Sequence, residues 1–220
     1  MPTAASKIID PMTTPDLAAR WHLLTAPFVP DAARREAELQ RLAAAYQAPT
    51  RHYHTLQHLA NLLHRLDAVA LQDRAVVELA VWFHDAVYNA LKSDNEARSA
   101  AEALAFLKNS ALEPARQQRV AFLIHRTANH TQPQPPADAD LLAFLDADLS
   151  ILGAPADVYR EYARQIRREY RRVPLLLYRP GRRKVLAAML AAPELFRTPE
   201  MRAELDAAAR RNLQAELNEL

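Results

Sequence analysis

Four groups in this chain have the types and the setting of a metal site. They are His58 in Arg51-His52-Tyr53-His54-Thr55-Leu56-Gln57-His58, the neighbours His84-Asp85, and an aspartate in Leu145-Asp146-Ala147-Asp148-Leu149. Each lies beside or within a strongly apolar helical stretch. Imidazoles and carboxylates are seldom set against a core unless a partner holds them there. Two neutral imidazoles and two carboxylates suit a borderline or hard divalent cation, so Mn, Fe, Ni, Mg or Zn is the expected cofactor. His54 and His58 are four residues apart and share one helix face. His84 and Asp85 stand about 100° apart around a helix and reach one ion only over the seam between them. The aspartate comes from a distant helix. Ligands from three helices describe a site in the core of a bundle.

The elements that must position these groups read as helices. Thr14-Pro15-Asp16 has the order of a helix start, with Thr as cap, Pro first and Asp near the positive end of the dipole. Leu17, Trp21 and Leu24 form its apolar side. Pro30-Asp31 opens a second helix, with Leu39, Leu42 and Tyr46 inward, which Ala48-Pro49-Thr50 ends. Leu56, Leu59, Leu62, Leu63 and Leu66 recur at helical spacing behind the first histidines. Ala75–Tyr88 reads as a helix with Val76, Leu79, Ala80 and Phe83 on one face. Ser93-Asp94-Asn95-Glu96 has the capping-box order and opens a helix through Leu107. Further helices are expected from Pro114 to about Thr127, from Asp138 to Gly153, from Pro155 to Arg172, from Val185 to Leu190 and from Pro199 to Leu217. His130–Pro136 is a polar, proline-rich loop. Residues 1–13 read as a loose arm and residues 14–220 as one helical domain, without repeats or a shift in composition.

Composition agrees. The 220 residues are 50% hydrophobic and 25% charged, as in an ordinary globular protein, and only 2 are glycine. Hairpin turns need φ > 0 and hence glycine, so this shortage, with the abundance of Ala, Leu, Arg and Glu, points to an all-α, single-domain bundle of about ten helices. With no cysteine, thiolate metal sites, disulfides and cysteine nucleophiles are excluded. No apolar run has the length of a membrane span, and Met1–Pro11 lacks the order of a signal peptide; the expectation is a cytoplasmic protein with no membrane partner. A net charge of +2 with no recognition motif leaves nucleic-acid binding without support. Nearly all the positive charge is arginine, whose guanidinium fork suits phosphate.

The ordered set resembles the HD superfamily of metal-dependent phosphohydrolases. His84-Asp85 resembles its signature pair, His58-Leu59 its first histidine, and Asp146-Ala147-Asp148-Leu149 its final aspartate helix. The resemblance makes His58, His84, Asp85 and Asp148 the metal ligands and sets Asp146 behind them. Tyr53-His54-x-x-x-His58 is also similar to the start of the cyclic-nucleotide phosphodiesterase site, which by analogy makes His54 the general acid. A closer likeness, from residue 51 onward, is to an uncharacterised bacterial group of predicted metal-dependent HD phosphohydrolases. It includes Trp82–Tyr88, Asp94-Asn95-Glu96, Thr127 with His130, Asp146–Gly153, Ile166–Tyr170 and Gly181-Arg182.

The resemblance implies metal-assisted hydrolysis of a small phosphorylated molecule, nucleotides included, with His54, Asp85 and His130 assisting the chemistry. Arg167, Arg171, Arg182 and Lys184 lie in the matched C-terminal stretches and are the candidates for the substrate phosphate. His125 and His130 could serve a second ion, which opens a di-iron oxygenase of the same superfamily as an alternative. Another alternative is a regulatory module that binds metal or nucleotide without turnover. Each residue also has a plain reading. His22 and His64 are ordinary helix residues, His52 belongs to a loop, the capping box accounts for Glu96, Trp82 and Phe83 are core, and the arginines of 164–183 form a solvated face. Oligomeric state is open.

Overall fold

The computed structural model describes residues 14–220, so the expected arm at 1–13 and the Thr14 side-chain cap lie outside the described residues. The chain is all-α. Ten helices occur among the described residues, in order: α1 (Thr14–Thr25), α2 (Ala32–Tyr46), α3 (Leu56–Asp67), α4 (Arg74–Phe83), α5 (Asn95–Leu107), α6 (Pro114–Arg126), α7 (Ala139–Leu149), α8 (Ala156–Glu169), α9 (Leu175–Ala191) and α10 (Pro199–Glu219). A 3-10 turn, Ser150–Gly153, continues α7. No strand occurs among the described residues.

α4 is the central rod. Val76 through Phe83 are all buried, and all are apolar except Glu78, which pairs with Arg20, as suits a helix surrounded by others. It packs against α3, α5, α6 and α7, with α1 on its outer flank. Trp21 of α1 meets Trp82 edge-on at 5.1 Å between ring centres and also contacts Phe83 and Phe106. Trp21 Nε1 donates to the Arg35 carbonyl and Tyr46 Oη to the Trp82 carbonyl, so two large rings are buried without stranding their polar ends. On the far side α10 packs on α9 and on the 3-10 turn. Gly153 permits that approach. A Cβ built there would lie 2.6 Å from Leu205 Cβ and 2.9 Å from the Leu205 carbonyl oxygen.

Three boundaries differ from the expectations, each for a local reason. α4 stops at Phe83 rather than Tyr88, because side chains from elsewhere take over its backbone groups. Arg51 donates to the carbonyls of Asp85 and Ala86 at 2.6 and 2.9 Å, and the Val87 N–H donates to Ser99 Oγ. The capping box before α5 does not form. Asp94 holds the cap position without a side-chain hydrogen bond, and Asn95 instead clasps the preceding loop through Asn89 and Lys92. α9 begins at Leu175, not Val185, and runs through Pro180. One missing N–H is tolerated there because Tyr178 and Leu186 on the inward face are buried.

Candidate metal centre

His58, His84, Asp85 and Asp148 come together where three helix ends meet. His58 is in the first turn of α3, His84 follows the last residue of α4, and Asp148 is in the last turn of α7. Two of those ends are carboxyl ends, whose dipoles favour positive charge. His58 Nε2 and His84 Nε2 face each other at 3.3 Å. Asp85 Oδ2 lies 3.1 Å from His84 Nε2 and 3.6 Å from His58 Nε2. Asp148 Oδ1 lies 3.2 Å from His58 Nε2 and 3.8 Å from His84 Nε2. Both histidines are buried and both carboxylates nearly so.

Two observations test whether these residues fit a divalent ion. The first is spacing. Ligand atoms of one ion with bonds of ~2.1 Å stand roughly 3.0–3.4 Å apart, and the contacts to His58 and His84 fall in and just beyond that range. One ligand atom from each of His58, His84 and Asp85 lies within 4.8 Å of the others, so these three could hold an ion. The second is orientation. His84 Nδ1 donates to the Val81 carbonyl at 2.8 Å, which in a neutral ring leaves Nε2 with a lone pair aimed at the cluster. The set fits.

The two carboxylates favour positive charge on the cluster, and the imidazoles share it unequally. Burial opposes charge on His84, but Asp85 and Asp148 outweigh it and raise its pKa to about 9. Burial also opposes charge on His58, and there it prevails, with the neighbouring His84 adding to the effect, so the His58 pKa falls. The imidazole pair therefore favours one positive charge, not two. Burial pushes the Asp85 and Asp148 carboxyls up, yet the surrounding histidines hold both well below the ordinary carboxylate range.

His130, from the proline-rich loop, reaches Asp148 Oδ2 through Nε2 at 3.1 Å. Arg197 pins that loop by donating to the carbonyls of His130 and Gln132. His125 is exposed at the end of α6, so of the two spare histidines only His130 stands at the cluster. Asp146 faces away. It accepts the N–H groups of Arg197 and Thr198 and the Thr198 hydroxyl at 2.7–2.9 Å, tying α7 to the start of α10. Neither Asp94 nor Glu96 hydrogen-bonds or ion-pairs with the cluster.

His54 lies in the bend before α3, not on the helix with His58 as expected, and is held by a residue that sequence reasoning passed over. Glu169, buried at the end of α8, accepts the backbone N–H groups of His52, Tyr53 and His54 on Oε1 at 2.7–3.1 Å. Its Oε2 takes His54 Nδ1 at 2.7 Å and the Tyr88 hydroxyl at 3.0 Å. Burial pushes Glu169 up, but His54 and the backbone donors outweigh it and lower its pKa to about 2. Burial pulls His54 down, but Asp85 and Glu169 raise it overall. With an ionised carboxylate on it, Nδ1 carries the proton as donor, and Nε2 is the nitrogen left for other partners. A signal existed in the sequence: Tyr159, Tyr162, Ile166 and Glu169 share one helical stripe, and a glutamate on an apolar stripe marks a buried carboxylate. Arg51 was likewise passed over. It stacks over Tyr46 and Tyr88 while binding the turn after α4.

The expected phosphate cations are not gathered at the cluster. Arg182 is bound through two nitrogens to Glu216, with its guanidinium over Tyr162. Arg167 caps the end of α8 through the carbonyls of Tyr170 and Val173 and lies over Tyr178. Arg171 and Lys184 are exposed. An arginine near an apolar helix end has orphan carbonyls and buried carboxylates to satisfy first. A cleft of about 940 Å³ reaches His58 and Tyr53 and continues past Asn61, Arg65 and Arg211.

Comparison with protein-family models, with curated proteins and with solved structures found no match to the chain.

Proposed function

We propose that this protein is a metal-dependent phosphohydrolase acting on a small phosphorylated molecule, with nucleotides the first class to test. The observation that carries the reading is the facing pair of Nε2 atoms, His58 and His84 at 3.3 Å, one oriented by the Val81 carbonyl, between two ionised carboxylates. A divalent ion bound by such donors lowers the pKa of a coordinated water and polarises a phosphoryl oxygen. His54, with Nδ1 committed to Glu169, is placed to hold or pass a proton at Nε2. His130 adds a third imidazole to the cluster through Asp148. The resemblance to the HD superfamily is consistent with this set and supplies the reaction class.

A second reading has one observation in its favour. Arg167 and Arg182, the cations expected on substrate phosphate, are engaged within the fold, as suits a module that binds metal or nucleotide without turnover. A single experiment separates the two. The purified protein is loaded with Mn, Ni, Fe or Zn, its metal content measured, and a broad phosphoester and phosphoanhydride panel assayed beside His84→Ala. Turnover that disappears with the metal in His84→Ala supports the hydrolase. Metal and nucleotide binding with no turnover in any of the metals favours the silent module. Unchanged metal content in His84→Ala sinks both.

A further inference from the structure

From Pro155 to Val185 the chain carries ten arginines and lysines against three acidic residues, an excess of seven in a protein of net charge +2. Many arginines elsewhere are paired: Arg20 with Asp67 and Glu78, Arg41 with Glu38 and Glu102, Arg116 with Asp73, Arg210 with Asp206. In this segment Arg160, Arg171, Arg172, Arg179, Arg183 and Lys184 are exposed and form no ion pair among the described residues.

The same segment displays Leu175, Leu176 and Leu177, which are 53%, 84% and 65% exposed in the first turn of α9. Successive helical residues point about 100° apart, so these leucines spread around the helix end instead of forming a stripe. Leu175 turns toward the inward side of Tyr178 and, with Arg160, Arg164 and Arg179, lines a cleft of about 310 Å³. Leu176 has the spacing to share a face with Arg179 and Arg183, and Leu177 with Lys184. A protein groove covers one stripe of a helix; Leu176 and Leu177, about 100° apart and 84% and 65% exposed, are covered together by a surface that encloses the helix end. A second copy of this face would bring like charges together. An anionic bilayer surface meets both demands, since it encloses an inserted tip and pairs with a basic rim.

We propose that the α8–α9 turn docks this protein on an anionic lipid surface. Leu176 and Leu177 enter the acyl boundary, and Arg171, Arg172, Arg179 and Arg183 meet the headgroups. The contact is peripheral: among the described residues no helix is long and apolar enough to cross a membrane. The expectation of no membrane partner holds for a span among the described residues; the proposed contact involves the surface alone.

The test is co-sedimentation of the full chain with vesicles of phosphatidylcholine alone or with roughly one-third phosphatidylserine, at low and high salt. The expected result is sedimentation only with the anionic vesicles, reversed by salt. Leu176→Ser with Leu177→Ser is expected to weaken it on the order of tenfold, and Arg179→Gln with Arg183→Gln by a similar factor. Unchanged circular dichroism keeps either loss from being one of folding. No sedimentation at low salt overturns the proposal. So does a leucine variant that binds as well as wild type, which would leave a purely electrostatic patch. A leucine variant that instead changes the mass in solution would assign the tip to a second copy. Salt-sensitive retention on single-stranded DNA that survives the leucine change, without vesicle binding, would make the patch a nucleic-acid surface.

Discussion

The carboxylates of α7 and its cap divide into two kinds. Asp138 caps the helix through the Leu141 N–H and pairs with Arg119. Asp140 accepts the N–H groups of Gln72 and Asp73, both at 2.8 Å, and so fixes the start of α4. Asp146 is fully buried and holds the start of α10. Asp148, two residues on, has the imidazoles of His58 and His130 as its partners, with His84 close by. The protonation behaviour differs accordingly. Burial raises the Asp146 pKa, and the donors of Arg197 and Thr198 only reduce that rise. Burial raises Asp148 too, but the imidazoles reverse the sign. The structural carboxylates are satisfied by donors that keep their protons, backbone N–H groups, the Thr198 hydroxyl and the Arg119 guanidinium. Asp148 is surrounded instead by imidazoles, which can gain or lose protons.

Replacing each aspartate breaks the comparison most directly. Asp146→Ala leaves two backbone N–H groups and a hydroxyl buried without an acceptor, and is expected to destabilise by about 3 kcal/mol or more in urea melts. Its metal content, measured on the fraction still folded, should match wild type. Asp148→Ala should do the reverse, with little loss of stability and loss of the bound metal by elemental analysis. Matching results for the two variants would erase the distinction.

Gly153→Ala sharpens the structural side. The new Cβ would meet the Leu205 Cβ and carbonyl, so α10 must shift, at an expected cost of about 2 kcal/mol. Thermal unfolding with metal analysis should show a lower midpoint without a change in metal stoichiometry.

Glu169→Gln probes the group that joins the two sides. It keeps an oxygen for the backbone donors but loses the charge on His54, with an expected loss of about 1–2 kcal/mol near neutral pH. The signs of the two shifts set the pH window. Glu169 has a depressed pKa, so its contribution is present above the ordinary 4.5 and is lost as pH falls toward 2. His54 has a raised pKa, so its share is full below the ordinary 6.5 and fades as pH rises through the elevated value. The stability gap between wild type and Glu169→Gln should be widest between those limits, and a gap independent of pH would refute the ion-pair account.

The smallest effect is expected at Gly181→Ala. Nothing lies within 4 Å of a Cβ there, and the residue is inside α9, so the variant should be neutral or more stable by roughly 0.5 kcal/mol. A clear destabilisation would show that α9 is packed more tightly than the structure has it.

Composition and periodicity by themselves determined the all-α class, the helix count and the inward faces. Helical spacing of Leu, Val and Trp residues states which side must leave water, whatever the side meets. They also singled out His58, His84, Asp85 and the pair Asp146 and Asp148, because charged types beside apolar runs are costly without a partner, while the choice of Asp148 within that pair rested on the family resemblance. Tertiary structure decided what spacing does not encode. It turned Asp148 toward the imidazoles and Asp146 toward Thr198, although both stand on one short helix. It brought Glu169 to His54 across 115 positions. It ended α4 at Phe83, because Arg51 and Ser99 arrive from other elements to take its backbone groups. It also drew Arg182 into a pair with Glu216 and left the leucines of 175–177 outside. These outcomes depend on which partner is within reach once the core has closed, and a linear pattern records a residue's demand for a partner without naming the partner.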